Sequence, residues 1–571
     1  MTVSLAITGS GGSGSVTAGL ILLEAVADAG YFGLMTRSYG PQIRGGESAV
    51  MLRISDQPVS GQGDAFDLLV SLDWLKVARF AEEIPLRSDS LIIGDSAAGA
   101  LPPVLAASGA RFVPLPLKAT ADTLDDGRAN MVALGVIARW LSLDEAAMQA
   151  GLSRVLGHKG EAVVASAMAC IRADDGVALD VTSAVSLVRR DMADERWSMT
   201  GNEACGFGAL AGGVRFAAAY PITPASDLLE YLAPRLEQQG GALVQAEDEL
   251  ASINMVIGAS WGGVASMTAT SGPGLSLMSE AFGLAVAAEV PLLLVNVTRG
   301  GPSTGIPTKT EQSDLNLSLF GTHGDAPHIV MAPDSIRDCV PTTAEAVVAA
   351  EALQVPAIVL TDQMMAQARV ITRAPERSPQ AAPRLRAVAG EAPFTRYADT
   401  DSGVSPASFP GDAGLQYTAD GLEHNVVGTP SSLASDHLSQ SAKRRRKLTC
   451  YDFGERAAEV QGEGDELLIT FGSSSPPVLE AAQRLRAQGR AVKVLVLRLL
   501  SPLPQARLSA ALDGVTRCHV VELNESGQLF HYLRGQGCLP ETSRSLCRAG
   551  PLFFRPGEIV EHVLEGSGDE Y

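Results

Sequence analysis

EDELASINMVIGASWGGVASMTATSGPG, Glu247–Gly274, decides the fold. Ile253, Val256 and Ile257 recur at helical spacing behind Glu249, and the helix they describe reaches Gly258. Ala265–Ala269 then reads as a strand, and Thr270-Ser271-Gly272-Pro273-Gly274 leads from it into another helix. Helix, strand, glycine turn and helix in succession predict an α/β sheet.

Working outward, strands are expected at Arg215–Tyr220, Leu243–Ala246, Leu292–Thr298, Ile329–Ala332 and Ala357–Thr361, with a helix at Ser226–Leu236. Towards the start, strand-like runs at Ser4–Thr8, Ala49–Ile54, Asp67–Leu72, Leu91–Gly94 and Phe112–Leu117 alternate with helical Thr17–Ala29 and Asn130–Leu141. Past a stretch rich in Pro, Ser, Gly and Ala, the strands Leu467–Phe471, Ala491–Leu497 and Cys518–Leu523 and the helix Val478–Gln488 form a third set. The expectation is three α/β domains, at 1–190, 195–372 and 465–571, with an extended connector at 373–464.

The 571 residues are 46% hydrophobic and 19% charged, with a formal net charge of -20. Such an acidic surface repels phosphates and anionic lipid heads, so neither nucleic acid nor a membrane is an expected partner. The five-residue run Lys443-Arg444-Arg445-Arg446-Lys447 is an exception, read as a solvated or ion-paired surface segment. Apolar runs fall short of the roughly 18 to 20 residues that span a bilayer, and Met1–Thr8 runs straight into a glycine loop, as a first strand would. A cytoplasmic location is expected. Seven cysteines without a C-x-x-C pair and eight histidines without close ligand spacing predict no metal held by this chain alone.

Gly9-Ser10-Gly11-Gly12-Ser13-Gly14 follows a strand and opens a helix, a setting that suits phosphate. A nicotinamide dinucleotide would also need an acid at the end of the second strand, where the chain offers Thr36 and Arg37. Arg37 and Arg44 would suit a phosphorylated ligand or a subunit contact; tight strand–helix packing explains the glycines equally well. Glu247, Asp248 and Glu249 could be the solvated first turn of a helix. Thr223 could cap a helix, and Arg299 could form a surface salt bridge.

The nine-residue separation of Glu249 from Gly258, with Thr270–Gly274 behind it, resembles the pyrimidine-binding domain of thiamine-diphosphate enzymes. That resemblance implies that Glu249 contacts N1′ of the aminopyrimidine, with Pro221, Thr270 and Gly272 beside the cofactor. Tyr220-Pro221-Ile222-Thr223-Pro224 and Arg299-Gly-Gly-Pro-Ser-Thr-Gly-Ile-Pro-Thr308-Lys309-Thr-Glu311-Gln312 resemble signature stretches of 2-oxoacid:ferredoxin oxidoreductase alpha subunits. A 2-oxoacid places a carboxylate beside a ketone, so its site needs a guanidinium fork and nearby donors. The resemblance gives Arg299 the carboxylate and Thr223 the reacting carbonyl, with Thr308 and Lys309 as further substrate contacts.

The first segment resembles the family's gamma subunit, fused ahead of alpha, and the third its transketolase-C-like domain, expected to be structural and interfacial. The G-D-G stretch that holds Mg2+ and diphosphate in such enzymes does not occur in this chain. The implied complement is a beta subunit with Mg2+, the rest of the thiamine diphosphate site and a [4Fe–4S] cluster, in a dimer of alpha-beta heterodimers that reduces ferredoxin. Coenzyme A is the implied acyl acceptor, and Gly9, Gly11, Gly14, Arg37 and Arg44 its candidate site. The resemblance leans to 2-oxoglutarate over pyruvate or branched-chain 2-oxoacids, in either direction of reaction. A nicotinamide dehydrogenase and a non-catalytic assembly or acyl-binding protein are the rivals.

Overall fold

The structure, a computed structural model, describes residues 1–40, 46–173, 186–191, 194–375, 378–379, 382–390 and 393–565. They form two compact units, one of Met1–Thr200, Gln367–Ala374 and Arg555–Glu558 and one of Gly201–Ala366, Pro375–Phe554 and Ile559–Tyr571.

The first unit is built on a mixed sheet whose strands run, edge to edge, Arg111–Leu115, Leu86–Asp95, Phe66–Ser71, Thr2–Gly9, Ser48–Ser55, Phe32–Tyr39, Arg369–Arg373 and Arg196–Thr200. Successive side chains of Thr2–Gly9 point to opposite faces. Leu5 and Ile7 enter the larger core with the helices Ser15–Asp28, Ala129–Trp140 and Glu145–Leu156, and Ala6 packs with Met51 and Phe66 on the other face. The last two strands depart from the expected boundaries. Arg369–Arg373 pairs antiparallel with both Phe32–Tyr39 and Arg196–Thr200, so both ends of the 195–372 span belong to the first sheet. Their partners lie far away in the chain, where a local periodicity carries no signal.

The second unit holds two sheets. The larger is ordered Leu499–Ser501, Ile329–Met331, Pro356–Asp362, Leu292–Thr298, Ser266–Thr270, Phe216–Ala219 and Ala242–Gln245, and is parallel apart from Leu499–Ser501. The smaller is ordered Ala458–Gln461, Val492–Leu497, Glu466–Thr470, Arg517–Glu522 and Arg544–Cys547. A single buried cluster runs from Ile253, Phe282 and Leu294 to Leu467, Leu495 and Val520, so the chain from Leu467 to Leu533 shares a core with the larger sheet.

The connector is more structured than expected. Ala434–Thr449 is a helix, and its basic run is largely internal: Lys443, Arg444 and Lys447 are buried. Glu289 receives Lys443 Nζ at 2.5 Å and Lys447 Nζ at 2.7 Å, and Arg396 Nη1 stands 3.6 Å from the same carboxylate. The surface reading of this run is therefore corrected for Lys443, Arg444 and Lys447; Arg445 is exposed and Arg446 half-buried.

Candidate active site

Glu249 is the first residue of the helix Glu249–Trp261, and its side chain is 7% exposed. Asp248 caps that helix by accepting the Ala251 N–H at 2.7 Å, so of the three adjacent acids one makes the turn and the next is turned inward. Ser252, Ile253, Val256, Ile257 and Ser260 seat the helix on the sheet.

Thr270 ends its strand, and Gly272 begins the helix Gly272–Ala287. The close approach of this helix to Glu249 depends on Gly274. A Cβ there would lie 2.0 Å from Thr270 Oγ1 and 2.8 Å from Glu249 Oε1. Glu249 and Thr270 thus meet at a helix N-terminus that keeps a buried Ser271 Oγ without a hydrogen-bond partner among the described residues.

Phe216–Ala219 and Leu292–Thr298 flank Ser266–Thr270, so the carboxyl ends of three adjacent parallel strands deliver Thr223, Thr270 and Arg299 to one edge of the sheet. Ligands of open α/β sheets bind at that edge. Arg299 is buried and donates from Nη1 to the Thr223 carbonyl at 2.6 Å, while its Nε has no hydrogen-bond partner among the described residues. Burial lowers the pKa of this guanidinium, and Asp314 opposes the shift. Asp314 in turn has its carboxyl pushed up by burial and accepts from Asn296 Nδ2 at 2.9 Å. Its oxygens also crowd Gly272, where a Cβ would come within 2.7 Å of both.

The chain leaves Arg299 in a loop whose tip, Gly301–Ile306, is exposed. Gly300 N–H donates to the Lys309 carbonyl at 3.0 Å, which puts Thr308 and Lys309 on the returning arm; Thr308 is buried there. Pro221 is exposed just past the end of its strand. Sequence reasoning missed Asn296, Asp314 and the anchoring roles of Glu311 and Gln312. Asn296 had a signal, as the one amide in the apolar run Leu292–Val297.

The first unit contains its own cleft of about 850 Å³, lined by Gly11, Gly14, Tyr39, Arg128 and Lys159 among others. Gly14 adopts φ 84 at the N-cap of Ser15–Asp28, and Ser13 Oγ is buried without a hydrogen-bond partner among the described residues. Gly9 packs on Ser13, where a Cβ would lie 2.4 Å from Oγ, and Arg37 donates to the Gln367 carbonyl at 3.0 Å; neither lines the cleft. Arg44 lies outside the described residues. Among the described residues there is no group of three or more metal-ligating side chains, and no helix is long and apolar enough to cross a membrane.

Three families match successive parts of the chain. Residues 4–174 match pyruvate ferredoxin/flavodoxin oxidoreductase, 207–443 the thiamine diP-bdg part of pyruvate flavodoxin/ferredoxin oxidoreductase, and 464–539 core domain II of pyruvate:ferredoxin oxidoreductase. Subunit alpha of 2-oxoacid:ferredoxin oxidoreductase 2 from Aeropyrum pernix is 31% identical over all of this chain and 98% of its own length. The chain belongs to the 2-oxoacid:ferredoxin oxidoreductase family. Within that family, 2-oxoglutarate synthase subunit KorA of Methanothermobacter thermautotrophicus is 35% identical over 65% of this chain and 99% of its own. A solved 2-oxoglutarate:ferredoxin oxidoreductase from Magnetococcus marinus, with 2-oxoglutarate, coenzyme A and succinyl-CoA bound, superposes with a TM-score of 0.91 at 35% identity, covering 99% of both chains. The oxidoreductase is thus a thiamine-diphosphate-binding enzyme subunit of three α/β domains, with the gamma-like region fused at its start.

Proposed function

We propose that this chain is the alpha subunit of an enzyme that oxidatively decarboxylates 2-oxoglutarate to succinyl-CoA with reduction of ferredoxin, or runs the reverse carboxylation. The observation that carries this reading is the meeting of Glu249 with Thr270 and Gly274 on the same sheet edge as the Arg299–Thr223 pair. The ligands of the Magnetococcus relative support 2-oxoglutarate and coenzyme A as substrates.

Glu249, Thr270, Gly272 and Pro221 would hold the aminopyrimidine half of thiamine diphosphate. The cradle at Gly274 and the unpartnered Ser271 Oγ fit a polar ring seated against Glu249. When bound, the cofactor supplies the electron sink for loss of CO2. Glu249 holds and returns a proton at its carboxylate. Arg299 receives the 2-oxoacid carboxylate, for which its Nε, without a partner among the described residues, is an available donor, and the Thr223 hydroxyl donates to the carbonyl, with Thr308 and Lys309 as further substrate contacts.

A beta subunit completes the site with Mg2+, the diphosphate half and a [4Fe–4S] cluster, and passes electrons to ferredoxin in a cytoplasmic dimer of alpha-beta heterodimers. Leu250, Met255 and Leu277, respectively 49%, 42% and 52% exposed on the two helices that begin beside Glu249, suit an apolar subunit face. Gly11, Gly14 and Lys159 suit the phosphates of coenzyme A in the first unit's cleft, with Gly9 as support and Arg37 outside the observed wall; Arg44 lies outside the described residues.

The test is viologen reduction by the chain co-purified with its cluster-bearing partner, given thiamine diphosphate, Mg2+, coenzyme A and, in turn, 2-oxoglutarate, pyruvate, a branched-chain 2-oxoacid and an aryl pyruvate. Reduction that requires coenzyme A and prefers 2-oxoglutarate is expected; no reduction with any of the four would leave a non-catalytic assembly protein. Arg299→Ala should raise the KM for the preferred 2-oxoacid by roughly 10- to 100-fold, the worth of a hydrogen-bonded charge. An unchanged KM would remove Arg299 from the substrate site.

A further inference from the structure

The smaller sheet of the second unit changes direction between Glu466–Thr470 and Arg517–Glu522. From the first of these the chain moves outward to Val492–Leu497, and from the second it moves the other way to Arg544–Cys547. The crevice at the carboxyl ends of two such strands is where an open α/β sheet ordinarily takes a ligand. Here a side chain of the substrate loop fills it.

Gln312 is 4% exposed and satisfies both halves of its amide inside that crevice. Its Nε2 donates to the Phe471 carbonyl at 3.0 Å, just past one strand, and its Oε1 accepts from Ser474 Oγ at 2.7 Å. Its Oε1 also accepts the Leu523 N–H at 2.8 Å, just past the other strand, and its own N–H donates to the Leu523 carbonyl at 2.6 Å. Gly472 makes room, since a Cβ there would stand 2.6 Å from Gln312 Nε2. One residue earlier, Glu311 accepts the Gly301 N–H through one oxygen and the Gly550 N–H through the other, both at 3.0 Å. That carboxylate therefore ties the outgoing arm of the loop, two residues after Arg299, to the far end of the smaller domain.

We infer that the transketolase-C-like domain positions the substrate loop, with Gln312 as the positioning residue that occupies the domain's ligand crevice in place of a ligand. This rests on the loop being the 2-oxoacid site. A domain of this kind then contributes to catalysis without touching substrate: it converts a long loop with an exposed tip into an arm held at its base, so that Arg299 and Thr308 are presented at one separation.

The test uses the assembled enzyme carrying Gln312→Ala or, as a milder cut at the same crevice, Ser474→Ala. Gln312→Ala should raise the 2-oxoacid KM by between about ten- and a hundred-fold, in keeping with a displaced binding group. The KM for coenzyme A should stay unchanged, and Ser474→Ala should shift the 2-oxoacid KM in the same direction by less. Amide hydrogen exchange, which needs no activity, should accelerate across 300–309 in both variants and stay at the wild-type rate across 292–298. Wild-type exchange across the loop in both variants, or a fall in kcat with the 2-oxoacid KM untouched, would overturn the inference. A wild-type enzyme that turns over no 2-oxoacid would instead sink the functional reading, and the exchange data would still decide whether Gln312 holds the loop.

Discussion

Glu249→Ala in the assembled enzyme is expected to lower turnover by on the order of 10²- to 10⁴-fold, the usual worth of a positioned acid–base group. The helix should survive the change. Its cap is the Asp248 carboxylate on Ala251 N–H, its seat is Ser252, Ile253, Val256 and Ile257, and alanine is a better helix former than glutamate. The loss would then be chemical, with partner binding on gel filtration and the melting temperature close to wild type. Glu249→Gln should be nearly as inactive, because the amide keeps the shape beside Gly274 and cannot give up or take back the proton. Turnover within a few-fold of wild type in either variant would disprove the cofactor assignment.

Glu289→Gln should cost stability instead. Glu289 is the shared counter-charge of Lys443, Lys447 and Arg396, all of them buried, and its removal leaves three cations in the interior facing an amide. Breaking a buried pair from one side costs about 3–5 kcal/mol; the variant should melt well below wild type in a calorimeter. Burial pushes the Glu289 carboxyl up, but Lys447, Lys443 and Arg396 outweigh it and hold it well below the ordinary 4.5. Its contribution is therefore present above pH 4.5 and lost as the pH falls below that value. Lys447 works in the opposite direction. Burial, against the pull of Glu289, brings its amine from 10.5 down to about 7. Between those values the unfolded chain holds the extra proton, so this group adds stability as the pH rises from about 7 towards 10.5. Lys447→Met should flatten that rise; a melting curve that climbs as steeply without the amine would assign the effect elsewhere.

The sheets were legible wherever strand and helix alternate locally. The expected Ala265–Ala269 and Arg215–Tyr220 are observed as Ser266–Thr270 and Phe216–Ala219, because apolar runs bounded by turns carry their own signal. Arg196–Thr200 and Arg369–Arg373 were illegible as members of the first sheet, since only distant chain supplies their pairing. The site divides in the same way. Glu249 and Thr270 belong to one local spacing, and the structure brings them together at Gly274. Asp314 and Gln312 owe their surroundings to Asn296 and to Phe471 and Leu523, which no spacing announces. The basic run misled for a related reason: composition cannot show a counter-charge 154 residues away.

That inward-facing run also makes the folded chain its own reporter. Five consecutive tryptic sites from Lys443 to Lys447 lie within one helix, and the two lysines among them are sequestered on Glu289. A protease needs an extended, accessible strand of substrate, so cleavage there must await the opening of this helix and the parting of its ion cluster. The fraction of chains cut at the run after a brief exposure to trypsin would thus count the molecules whose connector has let go, a quantity that spectroscopy averaged over 571 residues would hide.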